Sequence, residues 1–318
     1  MRVVFVTVSD GFFFPGTVAT VNSILHFHPE AHVRVINNHV QKAALTTEQR
    51  EVLESAGAEI VDAGYLSKPG RKLAAWELKA YGAADLTEGE DVLVGVDSDC
   101  VLCGRIDDVI AEAIHSGKFL GGRDGRTHYD QSYQVYGIET PVMNEQYMSA
   151  SLYVCALTED NRRILNRWAD CCDRAIFGGG GVYPGHGDQG VLNAVLYAER
   201  GENGVATLDN RLWSQHHCYW QEPLELRDGV LYNPAAQAPQ RSIHCGGTEK
   251  FWTTRHLDRL EKSAPHVVNY AWYLALLWFG RGVVLPQHLE NGHGHLSAGL
   301  TRYRYQVMEF LRALRPNG

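Results

Sequence analysis

A chain of 318 residues with 37 acidic against 29 basic side chains carries a formal charge of −8, which excludes the basic surface of a nucleic-acid binder. With 45% hydrophobic and 21% charged residues it reads as a globular protein, long enough for one large α/β domain or two ordinary ones. A small polyanionic ligand stays compatible with the acidic balance, because a metal ion can supply positive charge locally.

The first hundred residues alternate strand-like and helix-like stretches. Residues 3–8 form a short β-branched run, and Pro15 opens a helix pattern over 16–26. Residues 32–36 read as a strand, 46–56 as a helix opened by Thr46 or Thr47, and 58–61 as a strand. A helix over 72–86 leads to a wholly apolar strand at 92–96. Strands separated by helices of this length indicate right-handed βαβ units and a mainly parallel, Rossmann-like sheet. Ligands of such sheets bind beyond the carboxyl ends of the strands. Here those ends carry Ser9-Asp10 and Asp97-Ser98-Asp99. Further along, 119–122 and 151–155 read as strands, 161–176 as a helix, 178–181 as a glycine loop and 191–199 as another helix. From about residue 251 the chain turns aromatic-rich and helical in pattern, which sets a domain over 1–252 and a mostly helical extension over 253–318.

The apolar run at 3–8 is too short for a secretory leader, and seven scattered cysteines suit reduced thiols, so a cytoplasmic location is expected. Cys100 and Cys103 form a C-x-x-C without a second pair at zinc-ribbon spacing. That leaves a redox or zinc role beside a plain reading as strand-end thiols.

Three stretches carry chemistry. In VLVGVDSDCV, Asp97 and Asp99 leave a buried strand two residues apart and can turn their oxygens toward one hard cation such as Mg²⁺ or Mn²⁺. A solvated turn is the alternative, since aspartates are common in turns. In GHGDQGVLNAVL, Asp188 and Gln189 stand at a helix start, where Asp188 also qualifies as a plain N-cap. In RSIHCGGTEKFW, His244, Gly247, Lys250 and Trp252 offer an imidazole, a backbone amide, a cation and an aromatic wall; each alone is as readily structural.

The order of these stretches resembles glycosyltransferase family 8. LAAWELKAYGAADL…DVLVGVDSDCVL is similar to that family's K-L-x-x-W-x-L helix followed by a strand ending in D-x-D. GDQGVLN is similar to its D-Q-x-x-x-N element, and His244…Gly247…Lys250…Trp252 to its H-x-x-G-x-x-K-P-W element. The resemblance covers roughly 1–255 and implies the GT-A fold and a retaining, metal-dependent hexose transfer from a UDP-sugar to an unspecified acceptor. It implies Asp97, Asp99 and His244 as ligands of Mn²⁺ or Mg²⁺, and Gly247 and Lys250 as contacts of the departing diphosphate. Lys72 would lie near donor sugar and phosphate, Asp188 would bind sugar hydroxyls, and Gln189 would support the anomeric carbon. Residues 8–14 would form the base and ribose pocket, with Asp10 its polar contact. Two departures stand out: Met148-Ser149-Ala150-Ser151 replaces the usual F-N-S-G, and Phe251 replaces the proline of K-P-W.

Two other classes fit parts of the pattern. A haloacid-dehalogenase-type phosphatase also uses an apolar strand ending in D-x-D, with Asp97 as nucleophile and Asp99 as acid and base. A non-catalytic nucleotide-sugar binder would keep the fold without turnover. The stretch HVVNYAWYLALLWFGRGVVL is almost wholly apolar, yet Asn269, Gly280, Arg281 and Gly282 interrupt it, which argues against a spanning helix. Burial against the main domain, a homodimer contact and a peripheral membrane contact all suit it.

Overall fold

The computed structural model of the protein describes residues 1–38, 44–62, 75–124, 146–177, 187–213, 215–216, 225–227 and 230–244. The β-branched run at the start forms β1 (Val3–Ser9), and Pro15 sits in the first turn of α1 (Phe14–Phe27), where a fixed φ and a missing N–H cost nothing. β2 (His32–Asn37) leads to α2 (Thr47–Ala56). Its start is set by a reciprocal cap: Gln49 N–H donates to Thr46 Oγ1 at 3.2 Å, and Thr46 N–H to Gln49 Oε1 at 3.0 Å. It stops at Gly57, whose φ of 106° few other residues adopt.

β3 (Ala58–Asp62), α3 (Ala75–Asp85), β4 (Val92–Val96) and β5 (Cys100–Leu102) follow. After them come α4 (Asp107–Ser116), β6 (Phe119–Arg123), β7 (Met148–Ala156), α5 (Glu159–Phe177), α6 (Gly187–Arg200) and β8 (Val205–Leu208). Short strands complete the described chain: β9 (Gln215–His216), β10 (Glu225–Arg227), β11 (Val230–Asn233), β12 (Ala238–Pro239) and β13 (Ser242–His244).

The central sheet has seven strands in the order β3-β2-β1-β4-β7-β6-β8. All its pairings are parallel except those of β7, which runs antiparallel to both β4 and β6. The expected mainly parallel α/β sheet is therefore present, with one reversed strand that the apolar run at 151–155 did not announce. Two apolar layers cover the sheet. Val18, Val21, Leu53, Val109 and Ile110 pack α1, α2 and α4 on one face. Leu78, Tyr81, Leu165, Trp168, Val191 and Val195 pack α3, α5 and α6 on the other. Strands buried on both sides explain why Val92–Val96 reads as a continuous apolar run.

Helix α4 had no counterpart in the sequence reading, and α6 begins at Gly187, so Asp188 and Gln189 lie inside its first turn. Cys100 and Cys103 are buried and form no disulfide. The glycine loop at 178–181, Lys72, Gly247, Lys250 and the whole extension over 253–318 lie outside the described residues. Among the described residues, no helix is long and apolar enough to cross a membrane.

One close approach beneath the site has a clear cause. Gly95 and Tyr153 face each other across the β4–β7 ladder, and a Cβ at Gly95 would overlap the Tyr153 ring. That ring is fully buried between Phe119, at 6.4 Å between centroids, and Trp168, at 5.9 Å. Its hydroxyl has no hydrogen-bond partner among the described residues. Gly95→Ala should therefore destabilise the fold by about 1–3 kcal/mol through overpacking. Tyr153→Phe should be neutral or stabilising by up to about 1 kcal/mol, because it removes a buried unsatisfied donor. Thermal denaturation checks both, and a Gly95→Ala protein as stable as the parent would contradict the packing described.

Candidate functional site

The carboxyl ends of β1 and β4 lie side by side because the two strands pair in parallel. Beyond β4 the chain makes a tight turn, closed by Cys100 N–H donating to the Asp97 carbonyl at 2.9 Å. This turn lifts Asp97 and Asp99 off the sheet between β4 and β5. β13 then brings the third group from far along the chain: it pairs antiparallel with β5, and His244 falls opposite Cys100, next to Asp99.

His244 Nε2 lies 3.5 Å from Asp97 Oδ2 and 3.3 Å from Asp99 Oδ1. One ligand atom from each of the three residues falls within 4.8 Å of the others. Neighbouring ligands of an octahedral ion with bonds of about 2.1 Å stand about 3 Å apart, so small shifts would close this set around one cation. Two carboxylates and one imidazole suit Mn²⁺ or Mg²⁺ better than a thiophilic ion.

Beside this triad stands a group that the sequence reading did not single out. Lys79, on α3, has a side chain only 8% exposed. Its ammonium donates to Asp97 Oδ1 and to the Ala150 carbonyl, both at 2.6 Å. It also lies 3.1 Å from Asp188 Oδ2, an ion pair whose alignment falls short of a hydrogen bond. Burial works against the charged form of Lys79, but the carboxylates of Asp188 and then Asp97 outweigh it and hold its pKa above the ordinary lysine value. Burial pushes the Asp188 carboxyl up; Lys79 pulls it back and the charge of Asp97 adds to the rise, leaving it above the usual carboxylate range.

Gln189 follows Asp188 and is held at both ends of its amide. Its Oε1 accepts from Ala150 N–H at 3.1 Å, and its Nε2 donates to Asp124 Oδ2 at 2.7 Å. Asp124, just past β6, is a second group that sequence reasoning missed. Ser149 and Ser151, standing where F-N-S-G was expected, share a 2.8 Å hydrogen bond between hydroxyls. Asp10 follows β1, where its Oδ1 accepts from Phe12 N–H at 2.8 Å and Phe13 N–H at 2.9 Å. That turn leaves the Phe12 ring half exposed.

The structure thus brings together Asp97, Asp99 and His244, and joins Asp188 to them through Lys79. One sequence signal for Lys79 existed: it interrupts a helix whose residues Leu78, Ala80, Tyr81 and Ala83 are all buried, so a lone lysine there needs charged partners.

A second acidic group, His28 with Glu30 and Asp107, has similar spacing but different chemistry. His28 Nε2 accepts from Ile106 N–H at 3.1 Å, so a neutral ring carries its proton on Nδ1, the atom facing Glu30. Burial lowers the His28 pKa and favours that neutral form. Arg105 already pairs with Asp107 at 2.6 Å and Glu30 at 3.1 Å. No imidazole lone pair is left for an ion there.

No family model matches the chain, and neither does any curated protein. Solved structures do. The galactosyltransferase LgtC in complex with donor and acceptor sugar analogs aligns with a TM-score of 0.54 at 13% identity, over 91% of this chain and 99% of that one. The bifunctional glycosyltransferase WbbM, an apo structure, gives 0.55 at 14% identity over 82% of this chain; this chain spans 49% of its length. The glycosyltransferase GlyE of Streptococcus pneumoniae TIGR4 gives 0.50 at 14% identity, over 90% of this chain and 65% of that one. The fold is accordingly that of the GT-A glycosyltransferases.

The contrast between the two acidic groups gives a direct expectation for calorimetric titration with Mn²⁺. Asp99→Ala should weaken binding by at least about tenfold, whereas Asp107→Asn should leave it within about twofold of the parent. The reverse pattern would assign the ion to the wrong cluster.

Proposed function

We propose that the chain is a metal-dependent, retaining glycosyltransferase that moves a hexose from a UDP-sugar to an acceptor, as the family 8 resemblance implies. The observation that carries this reading is the convergence of Asp97, Asp99 and His244 at the carboxyl end of a GT-A sheet, with the Lys79–Asp188 pair beside them. The transferase unit would occupy residues 1–252. The extension over 253–318 would be mostly helical and would pack on that unit, on a second copy or on a membrane interface. A cytoplasmic location goes with this reading.

In this scheme Asp97, Asp99 and His244 would hold Mn²⁺ or Mg²⁺. The ion, when bound, stabilises the charge that develops on the departing diphosphate. Gly247 and Lys250 contribute an amide and an ammonium to the same diphosphate, and Lys72 lies near the sugar and phosphate. Asp188 accepts from sugar hydroxyls. Its raised pKa does not hinder this, because hydroxyl binding needs an acceptor oxygen and not a strong base. Gln189, with its amide oriented by Ala150 and Asp124, would support the oxocarbenium-like centre. Asp10, whose Oδ1 holds the turn after β1, would be the polar contact of the base and ribose pocket. Lys79 keeps Asp97 and Asp188 apart from each other's charge while leaving Asp97 Oδ2 to the metal.

Retention is read from the resemblance and from the lack, among the described residues, of a positioned general base: Asp188, the carboxylate best placed for that role, faces a lysine. Incubation with UDP-glucose or UDP-galactose and Mn²⁺ should release UDP, and EDTA should abolish the release. An α-linked donor should give an α-linked product by NMR of the anomeric proton. Full activity in EDTA, or a β-linked product, would contradict the scheme. Phosphate release from a simple phosphomonoester would favour the phosphatase instead, and tight UDP binding without any turnover a non-catalytic binder.

A further inference from the structure

The pairing of strand β7 is interrupted where it enters the site. Its ladder with β4 ends at Val96 opposite Leu152, followed only by Asp97 N–H donating to the Ser151 carbonyl at 2.8 Å. Its ladder with β6 jumps register, from Gly121 opposite Tyr153 to Arg123 opposite Met148. Buried backbone groups in such a gap must find other partners. Here side chains supply them. Met148 N–H donates to Asn193 Oδ1 and the Met148 carbonyl accepts from Asn193 Nδ2, both at 2.9 Å. Ala150 N–H goes to Gln189 Oε1 and the Ala150 carbonyl to Lys79 Nζ.

Asn193 is fully buried and does more than finish the strand. Its Nδ2 also donates to the carbonyl of Gln189, one turn back on α6, at 2.8 Å. The carbonyl of Asp188 accepts from Trp168 Nε1 at 3.0 Å. The first turn of α6, which carries Asp188, is thereby tied to β7 and to α5 at neighbouring points. Asparagine is the residue for this task because one planar amide offers an acceptor and two donors at fixed angles. Aspartate has the shape without the donors, and serine has one rotatable hydroxyl.

We propose that Asn193 is a positioning residue: by docking α6 onto β7 where its strand pairing is interrupted, it sets the distance between Asp188 and Lys79. This rests on the transferase reading above. Among the described residues, the hydrogen bonds of Asn193 run to Met148 and to Gln189, and not to Asp97, Asp99 or His244. Its loss should therefore separate chemistry from nucleotide binding.

The test uses the full chain and the variants Asn193→Ser and Asn193→Asp, with UDP plus Mn²⁺ as the binding probe and UDP-glucose and UDP-galactose hydrolysis as the turnover probe. A misplacement of the order of 1 Å at a reacting centre costs about a hundredfold in rate, so kcat should fall by about that factor. The Kd for UDP with Mn²⁺ should stay within about threefold of the parent, since the ion and diphosphate contacts are untouched. Equal losses in kcat and UDP affinity would overturn the proposal, as would a kcat within about twofold of the parent. Insoluble protein from both variants would also overturn it, because Asn193 would then be a folding determinant alone. A parent protein that neither binds UDP nor hydrolyses either sugar nucleotide would refute the transferase reading itself, and this role with it.

Discussion

A lysine ammonium buried between two aspartates organises the carboxyl end of the sheet. Removing a lysine charge from water is costly unless carboxylates meet it, and a broken buried pair leaves an uncompensated charge. Lys79 is met on three sides, by Asp97, Asp188 and the Ala150 carbonyl. Each partner comes from a different element, so α3, β4, β7 and α6 can shift only together. The arrangement also divides the oxygens of Asp97. Oδ1 belongs to the lysine, and Oδ2 is left turned toward His244. The Asp97–Asp99–His244 group and the Asp188 carboxylate are thus separated by a fixed positive charge.

The Asp97–Asp99–His244 group depends on a second constraint, the register of the small sheet β5-β13-β9. Shifting β13 against β5 by one residue would turn His244 to the other face and put Ile243 at its position. Ile243 is buried in the apolar layer that includes Val101 and Leu102, so the core enforces the register. The site is built by packing as much as by its own polar contacts. Beneath it, the break in the pairing of β7 is closed by amides and an ammonium. Polar groups in such places are worth most when every member is satisfied, as Asn193 and the Met148 and Ala150 backbones are here.

Much of this was legible in the residues. Val92–Val96 shows the buried-strand pattern over its observed span, and the turn that follows had to present Asp97 and Asp99. Thr46 opens α2 in the sequence as it does in space, where Gln49 completes the cap and Gly57 ends the helix. His244 was different: nothing in the spacing of residues 97 to 244 ties them together, and only the order of motifs did. Lys79 escaped because periodicity reports that a helix has a buried face without saying that a buried charge has partners across the sheet. The reversal of β7 escaped for a related reason, since an apolar run has no direction. Asp124 lies at a strand end and carries no local pattern beyond an aspartate before a glycine. Helix α4, opened by Asp107-Asp108, was overlooked although acidic residues in a first turn favour a helix start.

The most direct check on the division of Asp97 is a crystal structure with Mn²⁺ and UDP, with data collected at the manganese absorption edge. The expected result is an anomalous peak bonded to Asp97 Oδ2, Asp99 and His244 Nε2, with Lys79 Nζ still against Asp97 Oδ1 and Asp188. A manganese peak at His28, Glu30 and Asp107, or a lysine displaced from Asp97 by the ion, would contradict the central role given to Lys79.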